Sequence, residues 1–85
     1  KGDSMNLAGI DEGDYIVVET NVQEKVGDIV VALNDENCNT LKRLAYDSSK
    51  KKYYLKAESD NPANHDVYPR HMLIQGVARH VIKAL

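Results

Sequence analysis

Ser4 and Lys42 are the two residues of this chain whose types and surroundings could together do chemistry. Ser4 lies in Gly2-Asp3-Ser4-Met5, so its hydroxyl follows a flexible Gly-Asp turn. It precedes a short apolar segment carrying Leu7 and Ile10 and closed by Gly13-Asp14. That is a seat for a nucleophile, and equally for a turn former or a helix N-cap. A nucleophilic serine also needs a base to take its proton. His65, His71 and His80 come late in the chain with nothing local tying them to Ser4, so they read as surface or half-buried histidines rather than as part of a Ser/His/Asp triad. A lysine can be the base only where apolar burial leaves it neutral. Lys42, inside Thr40-Leu41-Lys42-Arg43-Leu44, is the best placed, because Lys50, Lys51 and Lys52 fall in a turn and Lys1 is terminal. Arg43 stays protonated at any physiological pH. The bland alternative is a strand lysine with its stem packed and its head in water. The residues alone leave both readings open.

The elements that must position these residues read as a mainly β domain. Short apolar runs are separated by Gly, Asp, Asn or Pro every ten or so residues. Residues 4–10 can form one helical turn, capped by Ser4 or Asp3, with Met5, Leu7 and Ile10 reaching the core. Tyr15–Glu19 is the first clear strand, ended by Thr20-Asn21. Gly27-Asp28 then repeats the turn-then-strand device of Gly13-Asp14. It leads into residues 29–34, which are apolar on both faces and therefore expected in the middle of a sheet. A hairpin turn at 35–37 returns the chain as a strand over 39–45, with Thr40, Lys42 and Leu44 on one face and Leu41, Arg43 and Ala45 on the other. Residues 46–51 form the next turn and 53–57 the next strand. The longest loop, 58–65, contains Asn61-Pro62, and Pro69 marks a second irregular point. Residues 72–85 close the chain as one bent strand or two, with a bulge or bend expected at Gly76.

Composition narrows the function. Eighty-five residues make one domain, 1–85, too small to bury a generous core, so help from a partner subunit is expected. The single cysteine, Cys38, cannot form an internal disulfide, which fits a reducing cytoplasm. No apolar run approaches the roughly 18 residues needed to span a membrane. Eleven basic against thirteen acidic residues leave a net charge of -2, the opposite of a nucleic-acid footprint. Lys50-Lys51-Lys52 reads as a solvated hairpin tip, and the five scattered tyrosines show no base-stacking pattern. No Cys/His or His/Glu cluster has metal-ligand spacing, and neither metal nor cofactor is expected.

An ordered set of motifs carries a resemblance. Gly2-Asp3-Ser4-Met5, Ala8-Gly9-Ile10, Gly13-Asp14, Gly27-Asp28-Ile29-Val30-Val31-Ala32, Thr40-Leu41-Lys42-Arg43-Leu44, Asn61-Pro62 and Gly76-Val77 follow one another along nearly the whole chain. The set resembles the self-cleaving serine/lysine peptidases of LexA, UmuD and the phage repressors. The resemblance implies a small, strongly bent sheet or partial barrel of the LexA C-terminal, signal-peptidase-like type. It implies Ser4 as nucleophile, Lys42 as general base, backbone N–H groups of Ser4 and Asp3 as oxyanion donors, and Met5 packed beneath the site. The bond cut in the family, Ala-Gly or Cys-Gly, lies upstream of the serine. A chain opening at Lys1 is therefore expected to be a fragment without its N-terminal part and cleavage loop.

The resemblance further implies a homodimer, a RecA filament as co-protease after DNA damage in the SOS response, and DNA contact only through an absent N-terminal domain. The leading expectation is the C-terminal autoproteolytic and dimerisation domain of a LexA-like or phage-type repressor. A UmuD-like subunit of a translesion polymerase is the alternative, and His80-Val81-Ile82-Lys83-Ala84 resembles the UmuD ending. A non-catalytic dimerisation module and a type I signal peptidase are further readings. The latter fits poorly, since Lys42-Arg43-Leu44-Ala45-Tyr46 leads into a charged hairpin. Residues 72–85, where Leu73, Val77 and Val81 alternate with polar residues, are the expected dimer contact.

Overall fold

The computed structural model describes residues 5–33, 37, 39–64, 66–68, 73–83 and 85. One 3-10 turn, Asn6–Ala8, precedes five strands: β1 (Tyr15–Glu19), β2 (Ile29–Leu33), β3 (Asn39–Asp47), β4 (Lys52–Lys56) and β5 (Leu73–Ile82). They form one antiparallel sheet in the order β1-β5-β2-β3-β4. The mainly β expectation holds, and the sheet is open, with β1 and β4 at its edges. The doubly apolar β2 is indeed interior, between β5 and β3.

Register decides which face is core. Val30 lies opposite Lys42 on β3 and opposite Val77 on β5, so the three form one row on one face. Leu44, two residues beyond Lys42, pairs with Leu55 on β4. Val30, Ala32, Leu44, Leu55 and Val77 make the buried cluster, with Val22, Val67 and Ile74 packed against it. Val67 arrives by a backbone bridge to Leu55, with N–H donated in each direction at 2.9 and 2.8 Å.

The two Gly-Asp turns are built alike. Asp14 Oδ2 accepts the N–H of Asp11 at 2.8 Å, and Asp28 Oδ2 accepts that of Lys25 at 2.9 Å. Between each pair a glycine takes a left-handed conformation, Gly13 at φ 92° and Gly27 at φ 101°, which costs a residue without Cβ little. The same local chemistry thus launches β1 and β2.

Several details depart from the sequence reading. In the N-terminal turn Met5 and Ile10 are buried but Leu7 is exposed, because a 3-10 turn of three residues carries Leu7 to the far side. The expected caps Asp3 and Ser4 lie outside the described residues, as does most of the 35–37 turn. β3 runs two residues past Ala45, because Tyr46 and Tyr53 pair across the hairpin with ring centroids 4.9 Å apart, edge to face. Tyr54 stacks on Tyr68 at 4.8 Å, and the Lys50 ammonium lies 4.5 Å above the Tyr68 ring. Four of the five tyrosines are therefore paired rather than scattered.

β5 is one strand with two irregularities, opposite Val17/Val18 of β1 and Val31/Ala32 of β2. Each bulge shifts the alternation of side chains by one. Leu73 and Val81 consequently share the face opposite Val77, so the three do not form the single stripe expected of a dimer contact. Gly76 sits beside the second irregularity, as anticipated. A Cβ there would meet Val18 Cγ1, and the carbonyl oxygen of Glu19 at 2.9 Å.

Candidate active site

Lys42 stands in the middle of β3 on the core face. Its neighbours by register are Val30 across the ladder, Val77 one strand further, and Leu44 two residues along. It is 6% exposed, the one buried charged residue among those described. Transfer of its ammonium from water to these apolar surroundings pushes its pKa down, against a smaller upward pull from the Asp66 carboxylate. A lysine so placed reaches the neutral, proton-accepting form at lower pH than one in water. The bland reading of Lys42, a head left in solvent, is not what the fold adopts.

Met5, the residue after Ser4, is 1% exposed. Its carbonyl accepts the N–H groups of Ala8 at 3.0 Å and Ile10 at 3.2 Å. The turn it begins is tied to the strand that carries Lys42. Leu7 donates its N–H to the Glu58 carbonyl at 2.8 Å, and the Asn6 amide donates to Asp60 Oδ1 at 2.7 Å and accepts the Asp60 N–H at 3.2 Å. The Glu58 carboxylate in turn takes two bonds from Arg43, from Nε at 3.0 Å and Nη2 at 2.8 Å. Arg43 Nη1 donates to the Gly27 carbonyl at 2.8 Å, fastening the turn before β2 to the same guanidinium. The loop after β4 therefore clamps the segment following Ser4 to the residue next to Lys42.

Of the residues expected at the site, Lys42 and Met5 are buried, while Ser4 and Asp3 lie outside the described residues. So do His65 and His71. His80 is exposed on β5, opposite Val17, three residues along that strand from the row containing Lys42. Sequence reasoning noticed Arg43 only as an impossible base and did not single out Asn6, Glu58, Asp60 or Asp66. Their partners are distant in sequence, and no local spacing signals them. Among the described residues no group of three or more His, Cys, Asp or Glu is placed to hold a metal. None of the helices among them is long and apolar enough to cross a membrane.

Comparison with known proteins agrees with this geometry. The family model described as Peptidase S24-like matches residues 1–79. ImpA of Salmonella typhimurium is 40% identical over 81 residues, covering 95% of this chain and 53% of ImpA. The LexA repressor of Geobacillus thermodenitrificans is 42% identical over 60 residues, covering 71% of this chain and 27% of the repressor. The chain thus spans about half the length of ImpA and about a quarter of that repressor. A buried lysine on the core face of an open antiparallel sheet, joined to a match running over nearly the whole sequence, places this chain in the S24-like peptidase family, that of the LexA and UmuD self-cleaving peptidases.

Proposed function

We propose that this domain cuts a peptide bond of its own parent chain, upstream of Ser4, with Ser4 as nucleophile and Lys42 as general base. The observation that carries the reading is the burial of Lys42 on an apolar face, which depresses its pKa. The Ser4 Oγ attacks the scissile carbonyl carbon as its proton passes to Lys42 Nζ. The C–N bond then breaks, and Lys42 returns the proton to the leaving amine. Water hydrolyses the resulting ester and regenerates the hydroxyl. Backbone N–H groups of Ser4 and Asp3 stabilise the oxyanion.

The parent is a dimeric repressor that binds DNA through a separate domain and is cleaved with a RecA filament as co-protease after DNA damage. The likeness to LexA repressor supports this. A second reading, a UmuD-like polymerase subunit, is supported by the likeness to ImpA, 40% identical over 81 residues.

Mass spectrometry of the parent protein, incubated over a range of pH beside Ser4→Ala and Lys42→Ala, tests the chemistry. One cut upstream of Ser4 that grows with pH and is lost in both variants is the expected result. No cut at any pH, with or without RecA filaments, would reduce the domain to a non-catalytic module.

A further inference from the structure

The three residues that follow Ser4 are each held by a different part of the fold. The Met5 side chain is buried, the Asn6 side chain engages Asp60, and the Leu7 N–H bonds to the Glu58 carbonyl. The Asn6 contact has two points: Nδ2 donates to Asp60 Oδ1 at 2.7 Å, and Oδ1 accepts the Asp60 N–H at 3.2 Å. The carboxylate acceptor makes the first of these charge-assisted. The loop that carries Asp60 is braced from within. Ser59 Oγ accepts the Asn61 N–H at 3.0 Å and the Asn64 amide at 3.1 Å, and Asn61 Oδ1 accepts the Ala63 N–H at 2.9 Å. The 3-10 turn is three residues long, and Met5 at its start makes no side-chain cap. So short a turn does not hold its own shape and takes it from what it is fastened to.

We propose that Asn6 and Asp60 are a positioning pair for the cleavage reaction, holding the segment next to the nucleophile in register with the strand of the base. The inference rests on the reading of Ser4 and Lys42 as the reacting residues. Asn6 is two positions from Ser4. Asp60 is two positions from Glu58, whose carboxylate is bonded to Arg43 beside Lys42. The pair therefore joins the nucleophile's side of the site to the base's side. A nucleophile and its base must come within hydrogen-bond reach, and a displacement of about 1 Å can cost on the order of a hundredfold in rate. Asp60 is exposed, and a hydrogen bond at the surface adds little to global stability. Loss of the pair should thus be felt in the reaction and hardly in the melting of the fold.

The test compares the parent protein with Asn6→Asp, Asp60→Asn and the two combined, by cleavage rate against pH at a temperature where melting curves show every variant folded. Asn6→Asp alone sets two carboxylates against each other. Asp60→Asn alone keeps an oxygen to accept from the Asn6 amide. Combined, the changes interchange the two side chains, so the carboxylate at position 6 takes both the N–H of residue 60 and the amide beside it. Asn6→Asp should slow cleavage on the order of tenfold at every pH with the midpoint of the profile unmoved, and the combined variant should recover most of the rate. Equal rates in all four proteins, a combined variant as slow as Asn6→Asp, or a shifted midpoint would overturn the inference. Should the unaltered protein never cleave, the self-cleavage reading fails separately, and hydrogen exchange of the Ala8 and Ile10 N–H groups decides. Exchange quickened by Asn6→Asp and restored in the combined variant sustains the pair as what holds the turn; unchanged exchange ends it.

Discussion

Arg43 and Glu58, fifteen positions apart, meet through two parallel hydrogen bonds of 3.0 and 2.8 Å. Both belong to larger connections. The third arm of the guanidinium holds the Gly27 carbonyl, and the Glu58 carbonyl takes the Leu7 N–H. One ion pair therefore joins the turn before β2, the strand of Lys42, the loop after β4 and the turn that follows Ser4. A fork-to-fork pair of this kind fixes direction as well as distance. That distinguishes it from the exposed pair between Arg79 and Glu19, of the sort that contributes little.

Replacing Glu58 with glutamine should therefore cost about 1 to 2 kcal/mol at neutral pH, the range for a half-buried charged hydrogen bond. The pair also makes stability depend on pH. Hydrogen bonds from Arg43 hold the Glu58 carboxyl below its ordinary value of 4.5, and the same contact pushes Arg43 up. A carboxylate with a lowered folded pKa contributes fully above its unfolded value, and the contribution fades as pH falls through the folded one. Thermal melts from neutral to strongly acidic pH should show the two proteins converging below the ordinary carboxylate range. Curves that stay parallel to the lowest pH would mean the pair carries no such linkage.

Gly76→Ala is expected to be among the more damaging single-methyl changes in the chain. The added Cβ would meet Val18 Cγ1 and the Glu19 carbonyl oxygen, the latter at 2.9 Å. Val18 can rotate, but the β1 backbone cannot yield without disturbing its ladder to β5. Overpacking of this type costs about 1 to 3 kcal/mol. Urea unfolding should register the loss as a lower midpoint, and adding Val18→Ala should restore only part of it. Full recovery in the double variant would show that the backbone contact does not matter.

The parts of this fold legible in the sequence are those that rest on neighbours in the chain. The Gly-Asp turns could be read because carboxylate, glycine and backbone N–H lie within three residues of one another. Lys42 could be assigned to the face of Leu44 because alternation in a strand is local. The strand order was not legible, since nothing in Leu73–Ile82 announces that it lies between β1 and β2. Of the two β5 irregularities, the one beside Gly76 was legible and the one opposite Val17/Val18 was not; together they turn Val77 inward and Leu73 and Val81 outward. The clamp of Arg43 on Glu58 depends on how the chain turns after β4. Alternation places Arg43 on a face but does not say which loop residue will meet it.

Lys42 is expected to weaken the fold that it serves. An amine taken out of water to lie beside Val30, Val77 and Leu44 opposes folding, and a methionine of similar length would fill the same space without a charge. Lys42→Met should therefore raise the melting temperature at neutral pH while abolishing self-cleavage. The sign of the pH dependence follows from the lowered pKa. Between the folded value and the ordinary 10.5, the unfolded chain binds more protons than the folded one, so stability rises with pH across that window. Below the folded value the penalty is constant, and above 10.5 it vanishes. The advantage of Lys42→Met over the unaltered protein should accordingly shrink as the solution becomes alkaline. The same window governs the base, so cleavage should accelerate over the pH range in which that advantage declines. Measuring melting temperature and cleavage rate on one pH axis tests both at once. A methionine variant no more stable than the lysine protein, or a rate that stays flat from neutral to strongly alkaline pH, would rule out Lys42 as a buried base.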